Sequence, residues 1–304
     1  MQPSVAIQPN QRVHGVALVL MAATLWGVSG TIAQYLFQEK AFNAGWLVVV
    51  RLLAAGLLML LLSYPKNKDK IWSVWRNKKD RIQIIIFSLF GMLAVQYTYF
   101  EAIELSNAAT ATVLQYLGPV LILGFMVIKS KRLPTYNELL VIFLAVVGTF
   151  LLVTNGSLGS LSISGWGLFW GISSAFALAF YTLYPSQLIQ KWGTMVVVGW
   201  AMFIGGVSLS FVHAPWDIQA SWGLTSVMAI IFIIILGTLI PFYCFLESMR
   251  YISASEASTL SCTEPLSAAI ISVVWLHVSF GVVQWIGTIF IVSTIFLISR
   301  WKSN

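Results

Sequence analysis

Charge is scarce in this chain. Only 9% of its 304 residues are Asp, Glu, Lys or Arg, against about 25% in an ordinary soluble domain. Hydrophobic residues make up 59%, and the mean hydropathy is +0.87. So few charges cannot cover a water-facing surface, which points to an integral membrane protein. Cysteine is nearly absent. Cys244 and Cys262 are the only two, both in apolar runs, which excludes a disulfide framework and any CxxC spacing. His14, His213 and His277 are scattered. No HExxH, GxSxG or P-loop pattern occurs, so the reading is not an enzyme, with no cofactor, no metal and no direct use of ATP. The net charge of +7 has no soluble domain to carry it, so no nucleic-acid partner is expected.

Long apolar runs are abundant. A bilayer core about 30 Å thick takes about 20 helical residues. Ten such runs can be placed, near 14–36, 43–63, 82–103, 107–128, 136–154, 163–184, 193–211, 222–245, 254–276 and 281–300. The division inside 82–128 rests on a turn at Ser106–Asn107. The first run continues past twenty residues, unlike a removable signal peptide. With the N-terminus in the cytoplasm, 15 of the 17 basic residues fall on the inner side, as the positive-inside rule requires. The expected placement is therefore the cytoplasmic membrane, multi-pass, with both termini cytoplasmic. Seven of the basic residues lie between Lys66 and Arg81. There Ile71, Trp72 and Trp75 share one helical face, so the loop is either an interfacial helix on anionic headgroups or an irregular charged connection.

The chain also resembles itself. Sliding it by 146 residues sets Tyr97 on Tyr243, Glu101 on Glu247, Leu114 on Leu260 and Pro119 on Pro265 without a gap. The starts of the halves agree at an offset of 150, HGVALVLMAATLWG against SGWGLFWGISSAFA. Five helices per half is an odd number, so the second half must enter from the opposite side. The expected fold is an all-α integral membrane protein of ten transmembrane helices, arranged as two inverted five-helix repeats around a central cavity.

These features resemble the drug/metabolite transporter superfamily, of the EamA-like type with a duplicated five-helix unit. The residues that carry the resemblance are the opening GVALVLMAATLWG, VVVRLLAAG with Arg51, LQYLGPVL, the glycine-opened sixth helix running to Tyr181, and SCTEPLSAA. It spans about residues 14–300, with repeats at 14–154 and 163–300. It implies a central cavity and movement of small metabolites, often amino acids leaving the cell. The chain departs from the family where each half usually carries a glycine–glutamate pair near the end of its fourth helix. Lys131 and His277 stand at the glutamate positions, so any tie made by those glutamates is missing.

Several residues could do the work. Pro119 and Pro265 each lack an N–H and free the carbonyl four residues earlier, at Gln115 and Ser261. Thr112, Gln115, Tyr116 and Pro119 share one helical face, matched by Ser258, Ser261, Cys262 and Pro265. These faces either line a cavity or mark packing kinks whose freed carbonyls find neighbouring hydroxyls. Glu264 lies near mid-membrane, where an ionised side chain costs about 2.5–3.5 kcal/mol on insertion scales. It either anchors a substrate amine or a proton, or it makes a structural bond or pairs with Arg51. Arg51 either binds a substrate carboxylate or caps backbone carbonyls. Tyr97, Glu101 and Glu104 form one stripe, repeated by Tyr243, Glu247 and Arg250. They are paired gates or snorkelling helix ends, with Tyr97 and Tyr243 the deeper cavity candidates. Trp26 and Tyr181 complete the candidate substrate-binding set.

The expected function is a secondary carrier of small metabolites by alternating access, with a small-molecule substrate, the lipid bilayer and a candidate proton as partners. One polypeptide encloses its own cavity, so a monomer suffices. The alternatives are a non-transporting membrane receptor or assembly subunit, and an intramembrane enzyme.

Overall fold

The computed structural model describes residues 9–131, 133–157, 161–217, 220–248, 251–252, 257 and 260–301. Every regular element among them is helical. The helices are α1 (Pro9–Lys40), α2 (Ala44–Ser73), α3 (Lys78–Ile86), α4 (Ala94–Leu105), α5 (Ala108–Gln115), α6 (Gly118–Lys129), α7 (Tyr136–Thr154) and α8 (Gly165–Leu183). They continue with α9 (Ser186–Trp192), α10 (Thr194–Leu209), α11 (Leu224–Ile234), α12 (Ile240–Ser248), α13 (Thr263–Leu276) and α14 (Val282–Trp301). Seven continuous helical stretches are long and apolar enough to cross a membrane. An eighth is possible if α9 and α10, bent by 119° at Gly193, count as one span, and α13 and α14 are shorter apolar helices. Among the described residues the apolar runs fall on helical segments, with 254–256 and 258–259 of the ninth run outside them, and not all ten have the length of a full crossing.

Local chemistry explains the helix starts. Asn43, Asn107, Thr135 and Ser164 stand at N-cap positions, and each side chain accepts a backbone N–H of the helix it opens. Such caps satisfy donors that the first turn leaves free. At Thr135 the cap is reciprocal, because Glu138 reaches back to the Thr135 N–H, a capping box. The Ser106–Asn107 turn lies where the sequence placed it. The boundary after 63 differs. Helix α2 runs on to Ser73 through Pro65, with a kink at Asn67. The basic segment is therefore helical in part. Trp75 and Trp72 pack edge-on against Trp200, whose indole N–H donates to the Ile71 carbonyl at 3.0 Å.

The two halves are folded alike. Each third segment contains a π-helical turn, Phe87–Leu93 between α3 and α4 and Ile235–Leu239 between α11 and α12. Both turns end at positions related by the repeat offset, Leu93 and Leu239, and both contain the matched glycines Gly91 and Gly237. Each fourth segment breaks just before its proline, at Tyr116–Leu117 and at Ser261–Cys262. Lys131 (φ 50°) and His277 (φ 52°) both adopt the left-handed conformation beyond those segments. Packing repeats as well. Helix α2 lies against α10, and α7 against α14; α4 on α8 is matched by α12 on α1. A Cβ on Gly56 would meet the Phe203 N, and one on Gly206 the Leu53 N, so this contact is symmetric at an offset of 150.

Inside a membrane, small residues let helix backbones approach, because lipid supplies no hydrophobic drive between helices. Gly27 shows this between α1 and α13. A Cβ there would lie 2.7 Å from the Glu264 carbonyl and 2.9 Å from the Ala268 N. Thr31, one turn on, bonds Ser272 Oγ at 3.3 Å. Backbone atoms cannot swing aside, so Gly27→Val should overpack the contact by about 1–3 kcal/mol. The expected result is a lower thermal midpoint in detergent, read by size-exclusion after heating. An unchanged midpoint would show that α1 and α13 are not in close contact.

Candidate functional site

The break in the ninth apolar run builds the site. Helix α13 starts afresh at Thr263, which places Glu264 in its first turn. There the positive end of the helix dipole favours a carboxylate. An unbroken helix would pair the Ser261 carbonyl with residue 265, but Pro265 has no N–H. That carbonyl instead accepts from the Glu264 N–H at 2.9 Å and lies 2.7 Å from the Tyr116 hydroxyl. The same hydroxyl is 2.9 Å from Glu264 Oε2. Tyr116 caps the end of α5 at the matching break of the first half, so it crosses from one repeat to the other. One turn earlier, Thr112 Oγ1 lies 2.7 Å from the Tyr99 hydroxyl. Tyr99 and Arg51 both lie within electrostatic reach of Glu264.

Arg51, 4% exposed, is held by backbone and hydroxyl oxygens. Its Nε donates to Thr238 Oγ1 at 2.6 Å and its Nη2 to the Gly237 carbonyl at 3.1 Å. The guanidinium carbon sits 4.8 Å from the Phe100 ring centre. Both oxygens belong to the second π-helical turn. A π turn displaces carbonyls from the regular ladder, and here a buried cation takes one up. Among the described residues no salt bridge joins Arg51 to Glu264. Glu264 is part-buried, and its carboxylate is held against the Tyr116 hydroxyl.

The other candidates are placed as follows. Thr112, Tyr116, Ser261 and Glu264 come together, with Arg51 nearby. Gln115 is buried beside them on α5, and Ser258 lies outside the described residues. Trp26 packs edge-on against Phe242 and tilted on Phe245. Tyr97 contacts Trp170 edge-on and bonds Glu101, at the end of α4 where Glu104 Oε2 accepts the Ala44 N–H at 2.6 Å. Tyr181 stacks on Phe87. Tyr243 is 52% exposed. Glu247 accepts from the Tyr251 hydroxyl at 3.4 Å, and Arg250 lies outside the described residues. Pro119 opens α6, as Pro265 lies in the first turn of α13.

Sequence reasoning missed Tyr99, Thr238 and Gln34. Tyr99 lies off the Tyr97–Glu101–Glu104 stripe, on another face of the same helix. Thr238 gains its role only through the π turn. Gln34 Oε1 accepts the Ala108 N–H at 2.8 Å and so helps cap α5 from α1. No local pattern marks any of the three.

The cluster is polar once, not twice. By the repeat, Gly118 stands opposite Glu264, Ala201 opposite Arg51, Phe245 opposite Tyr99 and Cys262 opposite Tyr116. Gly118 has no room for a carboxylate, since a Cβ there would lie 3.0 Å from Leu178 Cδ2 and 3.2 Å from the Ala175 carbonyl. The halves share a frame, while the titratable groups sit at one location.

Comparisons with known proteins agree with this architecture. The profile of the EamA-like transporter family matches residues 13–154 and 165–300. The chain is 43% identical over 285 residues to the inner membrane transporter YicL of Salmonella typhimurium, covering 94% of this chain and 95% of that one. It is 25% identical over 278 residues to the transporter YwfM of Bacillus subtilis, covering 88% of each. A crystal structure matches in fold with a TM-score of 0.63 at 16% identity, covering 97% of this chain and 99% of the other. With its all-helical fold, its apolar spans and two matched repeats, the chain belongs to the EamA-like transporter family and is a multi-pass membrane transporter.

Proposed function

We propose that the chain is a secondary carrier that exports small metabolites, amino acids or related compounds, across the cytoplasmic membrane by alternating access. In this reading ten membrane segments form two inverted repeats, 14–154 and 163–300, with both termini in the cytoplasm. The substrate sits at the Tyr116–Ser261–Glu264 cluster, with Thr112 and Gln115 beside it. One observation carries the proposal. Glu264 is part-buried and has a neutral hydroxyl rather than a cation at its carboxylate. A part-buried carboxylate bonded to a neutral hydroxyl, while the nearby Arg51 is held by Thr238 and Gly237, suits a substrate amine or a transported proton. The matched breaks in the fourth and ninth segments add support, since interrupted helices at a repeat interface are where secondary transporters bind. The test is efflux and growth resistance across a panel of amino acids and toxic analogues in cells overexpressing the protein. Resistance to at least one compound is expected; none across the panel would count against metabolite export.

Tyr116 links the two halves at this point. Tyr116→Phe removes the hydroxyl shared by Glu264 and the Ser261 carbonyl. Transport should slow several-fold with the protein still folded. The same change in a Glu264→Gln background should cost much less, because residues in one network couple by about 0.5–3 kcal/mol. Additive losses in this double-mutant cycle would mean that Tyr116 acts independently of Glu264.

A further inference from the structure

At the end of the bundle that the basic loops assign to the cytoplasm, α3 and α9 enclose a polar crevice. Its volume is about 220 Å³, and Asn77, Lys79, Asp80, Gln83, Gln187 and Lys191 line it. Asp80 forms its closed side, buried and already neutralised. Its Oδ2 accepts from Lys191 Nζ at 2.5 Å and from the Trp192 indole N–H at 3.2 Å. Besides Leu188, the remaining lining is Lys79 and the amides of Asn77, Gln83 and Gln187, donors that can bind a phosphate diester. Around it the positive charge is dense. Lys66, Lys68, Lys70, Arg76, Lys78, Lys79 and Arg81 are all exposed, with Asp69 and Asp80 the only acids in that stretch.

Apolar surface continues from the same helix. Ile82 is 46% exposed and Ile85 39% exposed. Ile82 lies on α3 one turn from Lys79, toward the membrane interior because this span begins at Lys78, whereas Ile85 is on the side of α3 away from Asp80 and Gln83. Trp72 and Tyr64 are also exposed at this level, as aromatic residues are at membrane–water boundaries. A polar, cationic crevice next to apolar surface fits an amphiphile, not a free anion.

We propose that this crevice is a binding site for the headgroup of an anionic phospholipid, with its phosphate between Lys79 and Lys191 and an acyl chain against Ile82. The site spans the two repeats, since α3 belongs to the first and α9 to the second. The neighbouring Trp72–Trp75–Trp200 packing joins α2 to α10. A bound headgroup therefore braces the contact between halves at this end.

The test is native mass spectrometry of the full-length protein, released from nanodiscs containing phosphatidylcholine and phosphatidylglycerol in equal amounts. The wild type should retain phosphatidylglycerol selectively. Lys79→Gln should weaken that retention roughly fivefold, which corresponds to the worth of about one lysine near an anionic surface. Lys68→Gln, an equal charge change outside the crevice, should leave it unaltered. Gln187→Leu, which removes a neutral donor, should also weaken retention and so separates the crevice from bulk charge. Equal retention of both lipids, or equal losses in Lys79→Gln and Lys68→Gln, would overturn the site. Displacement of the lipid by inorganic phosphate alone would overturn the assignment to a lipid headgroup.

Discussion

Glu264→Gln slows transport at least tenfold while leaving the protein folded. The substitution keeps the size of the side chain and an acceptor for the Tyr116 hydroxyl, 2.9 Å away in the wild type. It removes the charge. The neutral amide is also cheaper to hold within a membrane than a carboxylate, so folded yield and thermal midpoint should be maintained or slightly raised. Transport is different. If the carboxylate holds a substrate amine or a proton, its loss removes the interaction for which this position is built. The initial rate of efflux should fall at least tenfold, equivalent to about 1.4 kcal/mol in the barrier. Counterflow in proteoliposomes should fall likewise for the same compounds. Wild-type rates with unchanged pH dependence would return Glu264 to a structural role, as a hydroxyl partner that steadies the break in the ninth segment.

Arg51→Ala has the second large effect, and it is on the fold. Arg51 is bound to Thr238 Oγ1 and the Gly237 carbonyl, and it faces Phe100. Hydrogen bonds to charged groups contribute about 1.5–3 kcal/mol each. Truncation leaves the Gly237 carbonyl without this donor and opens a cavity beside Phe100, a further cost in a packed interior. The expected outcome is a marked loss of monodisperse protein in detergent. Arg51→Lys should recover little, because one ammonium cannot reproduce the planar fork that reaches both oxygens while stacking on a ring. Size-exclusion profiles and thermal midpoints of the two variants check this. A normal midpoint together with a raised apparent substrate constant in Arg51→Ala would instead place the residue on a substrate carboxylate.

Much of the frame was legible in the sequence. Proline is rare in apolar runs, so a matched pair of prolines carried more information than dozens of matched leucines. The breaks before Pro119 and Pro265 follow from the missing N–H. So does the freed Ser261 carbonyl, which finds a neighbouring hydroxyl. The Ser106–Asn107 turn was readable because two small polar residues interrupt a long apolar run. The π-helical turns were not readable. Phe87–Leu93 and Ile235–Leu239 have ordinary apolar compositions, and the extra residue per turn is set by packing against other helices. The stripe of Tyr97, Glu101 and Glu104 misdirected attention for a related reason. Helical spacing shows which residues share a face, but not which face meets the centre. Glu104 serves the start of α2, while Tyr99, on another side of the same helix, joins the cluster. Arg51 was readable as a carbonyl cap or a ligand, and only the three-dimensional arrangement supplied the carbonyl.

The asymmetry of the site bears on mechanism. In the proposed mechanism, a symmetric frame would let either half move against the other at similar cost, and the single carboxylate would give the substrate one place to sit. Two buried carboxylates close together would raise the cost of ionising both. With Gly118 in the opposite slot, this chain avoids that cost.

In the proposed mechanism the Tyr116–Glu264 cluster opens in turn to each side of the membrane. Cys262 reports on it directly, because it opens α13 beside Glu264 and packs with Tyr116. In a Cys244→Ala background it is the only thiol. The decisive measurement is its labelling by a small, membrane-impermeant thiol reagent in right-side-out and inside-out vesicles. Labelling from both sides is expected, slowed in each case by a transported compound. Labelling from one side only, or from neither, would contradict that mechanism.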